Sequence, residues 1–157
     1  MFQPLRFASG VESVRSPGGD PTPAPDDAPP DASTILTVED EVILRVVVAD
    51  YLRDCGYRVI EAGSAEEAQD ILRSGERVDV LFSDINLGPG ISGLHLARWT
   101  REHHPDVRII LTSGVAQLSQ DAVGLCDVAP MAKPYAYPAL KAHVERLLAM
   151  DSSAASR

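Results

Sequence analysis

The chain has 157 residues, enough for one domain of ordinary size. Hydrophobic residues make up 45% and charged residues 24%, as in a globular protein, while a net charge of −9 excludes a general nucleic-acid binder or adsorption to an anionic membrane. No run of about 18 apolar residues offers a span, the first residues lack the apolar core of a secretory signal, and Cys55 and Cys126 are too few for a disulfide framework or zinc site; a reduced, cytoplasmic chain is expected.

Seven of the twelve prolines fall within residues 1–33, where SPGGDPTPAPDDAPPDAS cannot bury enough apolar surface to offset its chain entropy. Residues 1–33 are read as a disordered tail whose only apolar anchor is MFQPLRF, residues 34–150 as one domain, and residues 151–157 as a flexible second tail. Within the domain, ILTV (35–38) reads as a buried strand. Residues 42–52 carry Val42, Val46, Ala49 and Leu52 at helical spacing, with Ile43 and Val47 beside them, and Gly56 is a helix stop. YRVIEA (57–62) is a second strand. Ser64-Ala-Glu-Glu67 is a capping box opening a helix with Ala68, Ile71 and Leu72 on one face. VDVLFS (78–83) is a third strand ending at Asp84, and residues 94–103 form a helix stopped by His104-Pro105. VRIILT (107–112) is the fourth strand, residues 117–125 a weak helix and residues 127–132 a poor fifth strand. Pro138 suits the first turn of a last helix striped by Leu140, Val144, Leu147 and Leu148. Five strands alternating with five helices imply an α/β doubly wound parallel sheet covered on both faces.

In such a sheet, ligands bind at the carboxyl ends of the strands. The residues following the apolar runs are Glu39, Asp40 and Glu41, then Asp84, then Thr112 and Ser113, then Lys133-Pro134. Three carboxylates, a hydroxyl and one lysine would therefore meet at one edge. Two carboxylates about 4 Å apart repel by roughly 4 kcal/mol at an effective dielectric of about 20, so the cluster needs cations. Lys133 supplies one. Hard oxygen donors suit Mg²⁺, whereas no cysteine or histidine stands at a strand end for Zn²⁺.

ILTVEDE, VDVLFSDINLGPGISGLHLA, IILTSG and AKPY, in this order, resemble the receiver domain of bacterial two-component response regulators from about residue 34 to 149. The resemblance implies a flavodoxin-like, five-stranded parallel sheet of order 2-1-3-4-5 with five helices. It implies that Asp84 is the phosphoacceptor, with Thr112 and Lys133 contacting the phosphoryl group. It implies Mg²⁺ or Mn²⁺ held by Asp40, Asp84, the backbone carbonyl of Asn86 and, through water, Glu39. It also implies a cis Lys133-Pro134 bond. The donor would be a sensor histidine kinase or a histidine phosphotransfer protein, and the domain would catalyse both its own phosphorylation and its own hydrolysis. A stand-alone regulator would then signal to a downstream protein target, as adaptor, phosphate shuttle or phosphate sink, through its fourth helix, fifth strand and fifth helix. Pairing of two copies through the last helices stays open, and neither nucleic acid nor a membrane is an expected partner.

The pattern departs from the family's in places. Pro130 stands three residues before the lysine, where the family carries a swinging aromatic, and Tyr135 and Tyr137 are the nearby substitutes. Glu39 replaces the commoner aspartate, and the loop from Asn86 to Gly93 is one residue longer than the commonest form. Pro130 favours an alternative, a pseudo-receiver that binds partners without phosphoryl chemistry; the complete acid set opposes it. A small flavodoxin-like enzyme or nucleotide binder is disfavoured, because no glycine-rich phosphate loop follows the first strand. Taken singly, the acids could cap a helix and Thr112-Ser113-Gly114 could be a turn. Only their common position at strand ends argues otherwise.

Overall fold

The computed structural model describes residues 28–114 and 120–154. The expected tail over residues 1–27, residues 117–119 of the weak helix and residues 155–157 lie outside them. Each apolar run of the sequence becomes a strand: β1 (Thr34–Val38), β2 (Arg58–Ala62), β3 (Val80–Asp84), β4 (Arg108–Ser113) and β5 (Met131–Ala132). All neighbours pair in parallel, in the order β2-β1-β3-β4-β5, which is the doubly wound topology that the alternation of elements implied. Every residue of β1 and β3 is buried, the mark of strands covered on both faces. The helices are α1 (Val42–Asp54), α2 (Ala65–Arg73), α3 (Gly93–His103), α4 (Gln120–Leu125) and α5 (Tyr137–Ala154).

The alternation of side chains along the strands divides the core in two. Leu36, Val38, Leu81, Ile109 and Leu111 face one layer, with Leu72 of α2, Leu96 of α3 and Ala122 of α4. Ile35, Val80, Phe82 and Ile110 face the other, with Ala49 and Leu52 of α1 and Leu140, Val144 and Leu147 of α5. Side-chain caps begin the middle helices. Ser64 Oγ accepts from Glu67 N at 3.2 Å, while Glu67 Oε2 accepts from Gly63 N at 2.7 Å. Ser92 Oγ accepts from His95 N at 3.1 Å.

In three places the structure adds to or departs from the sequence reading. First, α1 buries Val48, Ala49 and Leu52, whereas Val42 and Ile43 are 59% and 71% exposed and Val46 and Val47 each 42%. The apolar residues surround the first two turns, so spacing alone could not tell which side met the sheet. Second, the fifth strand is two residues, not six. Pro130 has no N–H to donate, and Asp127 is engaged elsewhere: its Oδ2 accepts from Ile109 N at 2.7 Å and from Arg101 at 2.6 Å. Third, α5 runs past Met150 to Ala154, where Asp151 accepts from Arg108 Nε at 3.1 Å. That ion pair anchors to the sheet a stretch that composition marks as tail.

The two sides of α1 should respond differently to truncation. Leu52→Ala should lower stability by about 2–5 kcal/mol, because a fully buried side chain leaves a cavity, while Ile43→Ala should change it by less than about 0.5 kcal/mol. Urea unfolding of both variants checks this, and equal losses would contradict the orientation given to the helix.

Candidate functional site at the carboxyl edge of the sheet

Register brings the predicted residues together. Val38 pairs with Ser83, so Glu39 and Asp84 follow on adjacent strands, and Asp84 pairs directly with Thr112. Ser113 pairs with Ala132, and Lys133 N donates to Ser113 O at 2.8 Å, which places the lysine one strand further along the same edge. The Lys133-Pro134 bond is cis.

Carboxylate oxygens of Glu39, Asp40 and Asp84 lie within 4.8 Å of one another. At that separation three negative charges repel by several kcal/mol, on the order of 4 per pair at a dielectric of about 20. Lys133 answers part of this: Nζ donates to Asp84 Oδ2 at 2.6 Å and to Glu39 Oε2 at 2.9 Å. Burial disfavours the charged lysine, but its hydrogen bonds to Asp84 and Glu39 outweigh that and hold the ammonium above the ordinary lysine range. Burial lifts the Glu39 carboxyl above its ordinary value, opposed by the hydrogen bond from Lys133. Asp84 Oδ1 accepts from Asn86 N at 3.0 Å, so both oxygens of the buried carboxylate are held. Thr112 is 1% exposed, and its hydroxyl has no hydrogen-bond partner among the described residues. A buried hydroxyl is costly without a partner. It stands opposite Asp84 in register, suited to a group added there.

Sequence reading missed two residues that position this edge. A Cβ on Gly93 would lie 1.8 Å from the Asp84 carbonyl oxygen, so α3 can start against the end of β3 only with glycine there. Gly88 (φ 72°) and Gly90 (φ 105°) of this loop use the conformational freedom of glycine; Gly93 supplies space instead. Glu66, in the first turn of α2, accepts from Ile91 N at 3.1 Å and pins the loop between β3 and α3. That hydrogen bond lowers its pKa. Read in sequence, Glu66 is only an acid in a helix's first turn, and nothing signals its reach across 25 positions. At Pro130, the expected departure stands: no ring occupies the strand before the lysine. Tyr135, two residues beyond it, packs edge-on against Phe82 of β3 (centroids 5.9 Å apart, 87° between planes), and Tyr137 packs on Tyr51 of α1 at 5.2 Å.

A parallel sheet of this order with acids, threonine and lysine at its carboxyl edge defines a receiver-type α/β domain. The chain matches the response regulator receiver domain over residues 35–145 and belongs to that family. It is 39% identical over 87 residues to the sensor kinase CckA of Brucella abortus, covering 55% of this chain. It spans only 9% to 38% of the length of three curated relatives it matches, CckA among them. A response regulator receiver protein from Sinorhizobium medicae is 33% identical with a TM-score of 0.70, covering 75% of this chain and 95% of that one. The response regulator protein TrrA from Thermotoga maritima, in complex with Mg²⁺-BeF, is 31% identical with a TM-score of 0.67, covering 73% and 98%. Among the described residues, no helix is long and apolar enough to cross a membrane.

If Lys133 is the counter-charge of this edge, its loss and the loss of one acid must offset each other. Lys133→Met should destabilise the metal-free protein by about 1–3 kcal/mol, discounted from a fully buried pair because the lysine is partly exposed. In an Asp84→Asn background the same change should cost less, by a coupling of at least about 0.5 kcal/mol. A double-mutant cycle in urea with chelator measures it; additive costs would contradict the assignment.

Proposed function

We propose that the chain is a response regulator that accepts a phosphoryl group on Asp84 from a phosphohistidine of a sensor kinase or phosphotransfer protein, and passes the signal on by protein contact. The observation that carries this is the buried Asp84 carboxylate, within 4.8 Å of two further carboxylates and 2.6 Å from Lys133 Nζ. The transferred group passes through a loose transition state with charge on its equatorial oxygens, so catalysis is positioning and charge neutralisation. An Asp84 oxygen forms the new O–P bond as the N–P bond to the donor imidazole breaks. Asn86 N holds the other carboxylate oxygen and so fixes the plane of the nucleophile. Lys133 is already an ammonium in contact with Asp84 and meets the phosphoryl oxygens without a proton transfer. The Thr112 hydroxyl gains an acceptor it lacks before the reaction.

The donor set fits Mg²⁺ or Mn²⁺. Glu39, Asp40, Asp84 and the backbone carbonyl of Asn86 are hard oxygens, and one lysine leaves their charge incompletely neutralised. When bound there, such a dication supplies positive charge toward the acceptor and the incoming phosphoryl group. TrrA, which binds Mg²⁺-BeF, supports the same donor chemistry here. A role independent of the domains found in longer relatives is supported by TrrA and the Sinorhizobium protein, whose solved chains are covered at 98% and 95%. The second reading, a phosphorylation-independent binding module, is favoured by Pro130, which leaves the fifth strand no aromatic to turn inward.

Incubation with acetyl phosphate should raise the intact mass by one phosphoryl group. The gain should require Mg²⁺ and be absent in Asp84→Asn, and Asp40→Asn should slow it at least about tenfold, the effect of roughly 1.4 kcal/mol. A gain that survives Asp84→Asn would overturn the assignment. No gain from acetyl phosphate, together with no response to beryllofluoride, would favour the binding module.

A further inference from the structure

The first two turns of α1 carry the largest exposed apolar surface among the described residues: Val42, Ile43, Val46 and Val47, all at least 42% exposed. Beside it, a cavity of about 340 Å³ is lined by Leu44 and Val48 of the same helix, by Tyr135 and Tyr137, and toward the carboxyl edge by Gly114, Lys133 and Pro134. At about 100° per residue, Leu44 and Val48 lie one step round the helix from Ile43 and Val47, so the patch and the cavity are continuous. A cavity of about 150 Å³ suffices for benzene, so a phenyl ring fits here. The rim toward the start of the helix is acidic, with Asp40 and Glu41 exposed.

We propose that the chain's own segment Met1–Phe7 (MFQPLRF) seats on this face of α1, placing an aromatic ring in the cavity and Arg6 beside Asp40 and Glu41. Composition singles out this occupant. The chain has three phenylalanines; Phe82 lies in the core, and the other two, Phe2 and Phe7, flank Leu5 within these seven residues. Arg6 is the single charged side chain among residues 1–11, opposite in sign to the rim of the face. A second copy of the chain is a poorer match, because its α1 face carries no phenylalanine to fill the cavity and has the same acidic rim. Reach is ample. Residues 8–27 can extend roughly 60 Å at about 3.1 Å per residue, against a helix of about 20 Å. Tethering makes the contact intramolecular, so weak apolar contacts suffice. Seated there, the segment competes with any partner for α1. The proposal holds with or without phosphoryl chemistry at Asp84.

The test uses the full chain with p-benzoylphenylalanine replacing Phe2 or, separately, Phe7, irradiated and mapped by mass spectrometry. Cross-links should form within one chain, to residues 42–48 or Tyr137, with a yield independent of protein concentration. Ile43→Asp with Val47→Asp should cut that yield about tenfold at unchanged circular dichroism, and Arg6→Glu should lower it as well. Because both helix positions are exposed, the fold is expected to survive; if it does not, Arg6→Glu alone decides. Cross-links between chains that rise with concentration would assign the face to self-association and overturn the proposal. So would cross-links elsewhere, none at all, or a yield indifferent to these substitutions.

Discussion

One lysine reaching across two strands governs the carboxyl edge of the sheet. Lys133 Nζ joins Glu39, just after β1, to Asp84, at the end of β3, from a position just beyond β5. Without it, three carboxylates within 4.8 Å would repel with no ion-pair partner for Glu39 or Asp84 among the described residues. With it, the acids can be held close and one of them nearly buried, which is the condition for a carboxylate that reacts rather than one that is merely solvated. The remaining excess of negative charge is the reason a hard dication belongs in the account.

The rest of the fold sets that edge. Parallel pairing in the order β2-β1-β3-β4-β5 puts β1 and β3 at the centre, where both faces are covered, and their last residues emerge side by side. The loop after β3 is held by contacts that are not local. Gly93 brings α3 against the Asp84 carbonyl, Glu66 ties the loop to α2, and Asn86 N returns to the Asp84 carboxylate. Asp84 is thus fixed on several sides at once, which fits the acceptor role proposed for it.

Most of this was legible in the sequence, because strands buried on both faces are continuous apolar runs and the polar residue ending each run marks the edge. Glu39, Asp40, Asp84, Thr112 and Lys133 were found that way. What escaped depended on tertiary contacts. The outward face of α1 could not be read because Leu44, Val48 and Ala49 continue the apolar set of Val42, Ile43, Val46 and Val47 round the helix, so no single stripe marks the buried side. The length of β5 was overestimated because the absent N–H of Pro130 and the capture of Asp127 by Arg101 and Ile109 outweigh local strand pattern. Gly93 was seen as a loop glycine, since only the approach of α3 to Asp84 reveals why no side chain is tolerated. Past the lysine, Tyr135 lies on Phe82, two residues before Asp84, and Tyr137 lies on Tyr51 of α1. Aromatic packing among these residues therefore links the strand that ends in Asp84 to α1 through Tyr135 and Tyr137.

The role proposed for Asp84 sets it apart from two carboxylates within 4.8 Å, and that distinction needs direct measurement. Protein treated with acetyl phosphate and Mg²⁺ can be reduced with borohydride, which converts an aspartyl phosphate to homoserine, and the position located by tandem mass spectrometry. The account predicts homoserine at position 84 alone. Reduction at position 40, or at the glutamate of position 39, would show that the cluster reacts through a different member and would contradict the role given to Asp84.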